Sequence, residues 1–199
     1  MKTLRFEVIR KLNEQKQHKI YSALNKTSKT AHDAVGWISE ERQRLRFEKL
    51  ISGIDLNGKK ILDFGCGLGG FCGYLMDIGI ECDYVGIDLV DGYLKKARQK
   101  YPNGRFENAS ILDINEEFDY VFSSGTYAFC TKELFFEYVK KSLDVSRFGY
   151  RFNMLLDAQT KNFFKFSKKE LVVFLKTLHC KHEFESDYLD NDVTILLFK

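Results

Sequence analysis

The chain is short of proline, with one, Pro102, in 199 residues, which excludes a stiff proline-rich linker. Its five cysteines, Cys66, Cys72, Cys82, Cys130 and Cys180, are odd in number and include no CxxC pair. Neither a disulfide framework nor a zinc site follows from them. Long hydrophobic runs are missing too. No stretch approaches the roughly 18 apolar residues of a membrane span. Lys2, Arg5, Glu7 and Arg10 interrupt the first residues, so these cannot serve as a signal-peptide core. A net charge of +3 is too small and scattered to mark a nucleic-acid surface. Together these absences predict a reduced, cytoplasmic protein with no membrane partner.

What is present suits one substantial core. Hydrophobic residues make up 44% and aromatics 15%, with 18 Phe and 10 Tyr. This length is that of a single domain of about 100–200 residues. Residues 1–58 read as a polar, helical extension or cap, and residues 59–199 as the main unit. In the first part, Leu4, Val8 and Leu12 recur at helical spacing, as do Phe47, Leu50 and Ile51. Ser39 suits a helix N-cap, with Glu40 and Glu41 in the first turn. Residues 25–30 (NKTSKT) read as a loop.

From residue 59 strands and helices alternate. Strands are predicted at 59–64, 83–88, 105–108, 118–124 and 149–156, and helices at 71–78, 92–100, 132–143 and 168–178. This alternation indicates a parallel sheet built from βαβ units. Two closing strands, 184–188 and 193–198, are separated by only four residues, too few for a parallel crossover, so they must form an antiparallel hairpin.

The sharpest motif is ILDFGCGLGGF, residues 61–71, between a strand and a helix. Gly65, Gly67 and Gly69 permit a tight turn and a close backbone approach to a ligand. Amides at the start of the next helix face the loop. Gly65, Gly67 and Gly70 also satisfy GxGxxG, the dinucleotide pattern. Asp63, at the strand end, counts against that choice, because a carboxylate there suits an ammonium and repels a pyrophosphate. Asp88 ends the second strand about 20 residues beyond Gly67, where an acid accepts ribose hydroxyls.

With these residues, the segment 59–156 resembles the class I S-adenosylmethionine (SAM)-dependent methyltransferases. The resemblance implies an α/β, Rossmann-like, mostly parallel seven-stranded sheet with helices on both faces, a closing antiparallel hairpin and an N-terminal helical cap. It implies SAM as the cofactor and S-adenosylhomocysteine as the product. Asp63, Gly65, Cys66, Gly67 and Gly69 match the family's glycine motif, and Asp88 with Leu89 matches its ribose site. Ser110 and Ile111 fall where the family often has an acid and an amide that read adenine. Serine there is a departure, weakening the adenine contact unless Asn108 or Asp113 supplies it. Ser124 closes the cofactor site. Residues 34–50 and 186–199 resemble a subgroup of small bacterial methyltransferases of unassigned substrate, which implies that Trp37, Gln43 and Arg46 cover the pocket.

Methyl transfer from a sulfonium needs alignment and exclusion of water more than a strong base, and no triad is visible. Acceptor specificity is expected at the C-terminal edge of the strands. Tyr127, in SSGTYAF after the fourth strand, is the candidate to touch the acceptor; the absence of prolines there argues against a DNA-base methyltransferase. His32 is the candidate proton acceptor, and Trp37 and Arg46 the further substrate residues. No metal is assigned to His179 and His182, which lack a partner ligand at metal spacing. The expected acceptor is a small polar metabolite, methylated on O or N, such as a sugar or surface-polymer precursor, and nucleic acid is not expected as partner. The alternatives are an RNA or protein methyltransferase, and an NAD(P)-dependent oxidoreductase or non-catalytic nucleotide-binding module.

Overall fold

The computed structural model describes residues 2–28, 30–36, 38–156, 164 and 166–199. Helices α1 (Lys2–Thr27), α2 (Ala31–Ala34) and α3 (Glu40–Ile51) precede the sheet. Then follow β1 (Lys60–Phe64), α4 (Gly70–Asp77), β2 (Asp83–Asp88), α5 (Asp91–Lys100), β3 (Arg105–Asn108) and a 3-10 turn at Ile111–Asp113. The chain continues through β4 (Phe118–Ser124), α6 (Lys132–Asp144), β5 (Ser146–Leu155), α7 (Lys168–Lys176), β6 (Lys181–Glu185) and β7 (Asp192–Phe198).

The seven strands are ordered β3-β2-β1-β4-β5-β7-β6. β1 to β5 pair in parallel, while β7 runs antiparallel to both β5 and β6. Residue alternation sorts the strand side chains onto two faces. Leu62, Val85, Val121, Phe152 and Ile195 join α6 and α7 in one core. Ile61, Tyr84, Phe106 and Phe122 join α3, α4 and α5 in the other. The predicted mostly parallel sheet, two-faced helices and closing hairpin are therefore all present. No helix among the described residues is long and apolar enough to cross a membrane.

Local chemistry sets the element ends. Ser39 accepts from the Arg42 amide, and Arg151 closes the other end of α3 by donating to the carbonyls of Leu50 and Ser52 at 3.2 and 2.7 Å. Ser167 and Glu170 form a reciprocal capping box at the start of α7. The hairpin register departs from expectation: β6 spans Lys181–Glu185, not 184–188, because Asp187 and Asn191 adopt left-handed φ of 69° and 58° and belong to the turn. Helix α1 continues to Thr27, into the expected loop. Leu4, Val8 and Leu12 share a helix face, but it points to solvent (73, 51 and 62% exposed). The inward face carries Phe6, Ile9, Asn13 and Gln17 instead.

Several contacts among the described residues seat this cap on the rest of the fold. Tyr93 of α5 donates to the carbonyls of Tyr21 and Ala34. Lys96 donates to Asn25 at 2.6 Å. Glu14 accepts from the Ser110 hydroxyl at 2.7 Å and from Arg10 at 3.0 Å.

Candidate functional site

The C-terminal ends of β1, β2 and β4 and the inward faces of α1 and α3 enclose a cavity of about 780 Å³. The glycine loop forms its floor. Gly65 has φ +77°, and a Cβ there would stand 2.5 Å from Thr126 Oγ1. Gly67 has φ +53°, and its Cβ would stand 2.9 Å from Val35 Cγ1. Both positions thus require glycine, for conformation and for space. Gly69, also left-handed, starts α4 without lining the cavity.

Asp63 lines the cavity and is 3% exposed. Tyr84 donates to its Oδ2 at 2.6 Å. Burial pushes the Asp63 carboxyl up to about 7, against the lowering effect of the Tyr84 bond, and the neighbouring Asp88 adds to the rise. Asp88 accepts from the Gly67 amide at 2.9 Å and the Val90 amide at 2.8 Å. Burial raises its pKa, and those amides oppose the rise. Two amides leave carboxylate lone pairs to accept ribose hydroxyls. Burial drives the Cys66 thiol well up, so it forms cavity wall and is a poor nucleophile.

Of the expected cofactor residues, Asp63, Gly65, Cys66, Gly67, Asp88, Leu89 and Ser124 line this one cavity. Ser110 and Ile111 are buried, and Ala109 takes the wall position beside them. The Ser110 hydroxyl is committed to Glu14. The possible substitutes are committed too, since Asp113 pairs with Arg10 and Asn108 donates to the Asp88 carbonyl at 2.9 Å. His32 and Gln43 line the cavity from the cap, with His32 Nε2 3.6 Å from Asp33. His18, expected with His32 in a cap over the acceptor, lines it as well, and so do Gln17 and Tyr21 of α1, which sequence reasoning missed. Their only signal was the buried stripe Phe6, Ile9, Asn13, Gln17, obscured by the competing exposed stripe.

A second chamber of about 340 Å³ lies at the ends of β4 and β5, and Tyr21, Val35 and Gly125 line both spaces. Ile20, Leu24, Ala128, Met154 and Leu155 make it mainly apolar. Tyr127 and Arg46 line this chamber, not the larger cavity. The Tyr127 ring packs edge-on against Phe64, Phe135 and Phe152, and its hydroxyl pairs with that of Tyr150, which also contacts Ser123 at 2.6 Å. Arg46 forms an ion pair with Asp192, with side chains 8% and 0% exposed. Trp37 lies outside the described residues.

Residues 61–148 match the family model described as a methyltransferase domain. That segment carries a methyltransferase domain. A tRNA (guanine-N(7)-)-methyltransferase of Clostridium botulinum is 27% identical over 144 residues, 66% of each chain. A protein named as a methyltransferase in Mycobacterium tuberculosis is 34% identical over 105 residues, 48% of this chain and 62% of that one. The chain thus matches just under two thirds of the length of these curated relatives. Among solved folds, the magnesium protoporphyrin IX methyltransferase of Synechocystis PCC 6803, crystallised with SAM, superposes with a TM-score of 0.71. It is 10% identical and covers 94% of this chain and 97% of its own. The methyltransferase fold is thus shared well beyond the matched segment, while the named acceptors differ.

Proposed function

We propose that this chain binds SAM in the larger cavity and methylates a small-molecule acceptor seated in the second chamber. The observation carrying this reading is that the two spaces abut at Tyr21, Val35 and Gly125, beside the glycine loop. Bound SAM supplies an activated methyl on a sulfonium, transferred in line to a nucleophilic atom. Asp63 holds the ammonium, Asp88 the ribose hydroxyls, and the loop glycines admit the ligand against the backbone. The cap residues Val35, Tyr21 and Gln43 keep water out of the reaction space. Tyr127, its hydroxyl engaged, shapes the chamber with its ring. His32 lines the larger cavity and not the second chamber, so it serves as proton acceptor for a hydroxyl or amine that reaches past Val35 toward the methyl. The apolar lining moves the expected acceptor from a sugar toward a molecule with an apolar body and one nucleophilic O, N or S.

Calorimetric titration with S-adenosylhomocysteine, beside NAD, tests the cofactor part. Micromolar binding of the first ligand alone is expected, weakened at least tenfold (about 1.4 kcal/mol) by Asp88→Ala. Binding of NAD, or of neither ligand, refutes the reading. The C. botulinum relative favours a second reading, in which the acceptor is an RNA base. Radiolabelled methyl transfer to unmodified tRNA, run beside small aromatic and aliphatic acceptors, decides between the two.

A further inference from the structure

Gln17 sits in α1, outside the matched methyltransferase segment, and is 7% exposed in the wall of the larger cavity. A relay fixes the direction of its amide. The Phe129 carbonyl can only accept, so Asn13 turns its Nδ2 toward it at 3.0 Å. Asn13 Oδ1 is then left to accept from Gln17 Nε2, at 2.6 Å. Gln17 Oε1 is thereby held as an acceptor with no donor among the described residues.

The strand order says which part of the ligand lies near this wall. Asp63 is the penultimate residue of β1, Asp88 ends β2, and Ala109 follows β3, with the strands side by side in the order β1, β2, β3. A ligand with its ammonium on Asp63 and its ribose on Asp88 therefore directs its base toward Ala109. Ser110 brings no acid there, and the nearby Glu14 carboxylate accepts from Ser110, Arg10 and Tyr138 without lining the cavity. The bond from Ser110 to Glu14 pins α1 over the end of β3, and Gln17 follows Glu14 by about one helical turn, on neighbouring surface.

We propose that Gln17 Oε1 accepts a hydrogen bond from the adenine exocyclic amine, so that the N-terminal helix reads the base in place of the acid missing at Ser110. The proposal rests on SAM as the cofactor. The bond requires an N–H donor on the ligand, so Gln17 selects a 6-amino purine over a 6-oxo purine.

The test compares binding of S-adenosylhomocysteine with that of S-inosylhomocysteine, in which the amine is replaced by oxygen. The native chain should prefer the first at least tenfold. Gln17→Met keeps the side-chain volume without the acceptor, and should lose about tenfold for S-adenosylhomocysteine while binding S-inosylhomocysteine as before, so that the preference collapses. Asn13→Leu, which frees the Gln17 amide to rotate, should reduce the preference in the same direction. Equal loss for both ligands, or an unchanged preference in Gln17→Met, overturns the Gln17 assignment while leaving the cofactor site standing. If the native chain binds neither ligand, the SAM reading itself fails.

Discussion

Replacing Asp63 with Asn should stabilise the protein at neutral pH while abolishing cofactor binding. In the fold the Asp63 carboxyl titrates at about 7, against an ordinary 3.8. The folded state therefore holds the proton more tightly than the unfolded chain. The resulting stabilisation is full below about pH 4 and is lost as pH rises through 7. Asparagine escapes that loss and still accepts the Tyr84 hydroxyl through its Oδ1. Any purely structural effect of the substitution is constant with pH, so the change in the gap isolates the carboxylate. Worked from the direction and size of that shift, the stability of Asp63→Asn relative to the native chain should grow by about 2–3 kcal/mol between pH 5 and pH 8. That corresponds to about 5–10 °C in relative melting temperature for a chain of this size. Thermal unfolding across that range, without ligand, provides the measurement. A gap that stays constant with pH refutes the placement of a strained, buried carboxyl at the end of β1.

The same carboxyl must be ionised to hold an ammonium, so S-adenosylhomocysteine affinity should fall below pH 7, approaching tenfold per pH unit. Tyr84→Phe removes the bond that holds the Asp63 pKa down and should move the midpoint of that fall above 7, as read by titration at stepped pH. Arg46→Met leaves the Asp192 carboxylate buried without its ion pair and should cost about 3–5 kcal/mol. Adding Asp192→Leu should recover most of that loss in denaturant melts, and no recovery would refute the coupling. Because Val35, Tyr21 and Gln17 complete the cavity, saturating S-adenosylhomocysteine should protect the amides of α1 from hydrogen exchange. At 100 times Kd the limit is about 2.7 kcal/mol, and protection confined to the strands would show that the cap takes no part.

The sheet was legible because its determinants are local. Short apolar runs bounded by glycine or by capping residues mark strands whatever packs on them, and a four-residue gap permits only a hairpin. That Asp63, Gly65, Gly67 and Asp88 would share one cavity was legible for the same reason, since each sits at or just beyond a strand end. The hairpin register was harder. ESDYLDND contains four Asp or Asn residues, the types that tolerate left-handed φ, and two of them, Asp187 and Asn191, adopt it. The turn therefore takes residues that an alternating pattern assigns to a strand.

The cap was least legible because its packing inverts the usual signal. Its apolar stripe Leu4–Val8–Leu12 faces water, while the amides Asn13 and Gln17 face inward. A buried amide is stable only where every polar atom finds a partner. The Phe129–Asn13–Gln17 relay supplies that for all but one acceptor. Ser110 belongs to the same account. Viewed in the strand segment alone, it is a missing acid. With α1 in place, it is the hydroxyl that anchors the helix through Glu14. The serine and the helix that covers it are thus one packing arrangement, and the proposed reading of the base by Gln17 depends on both.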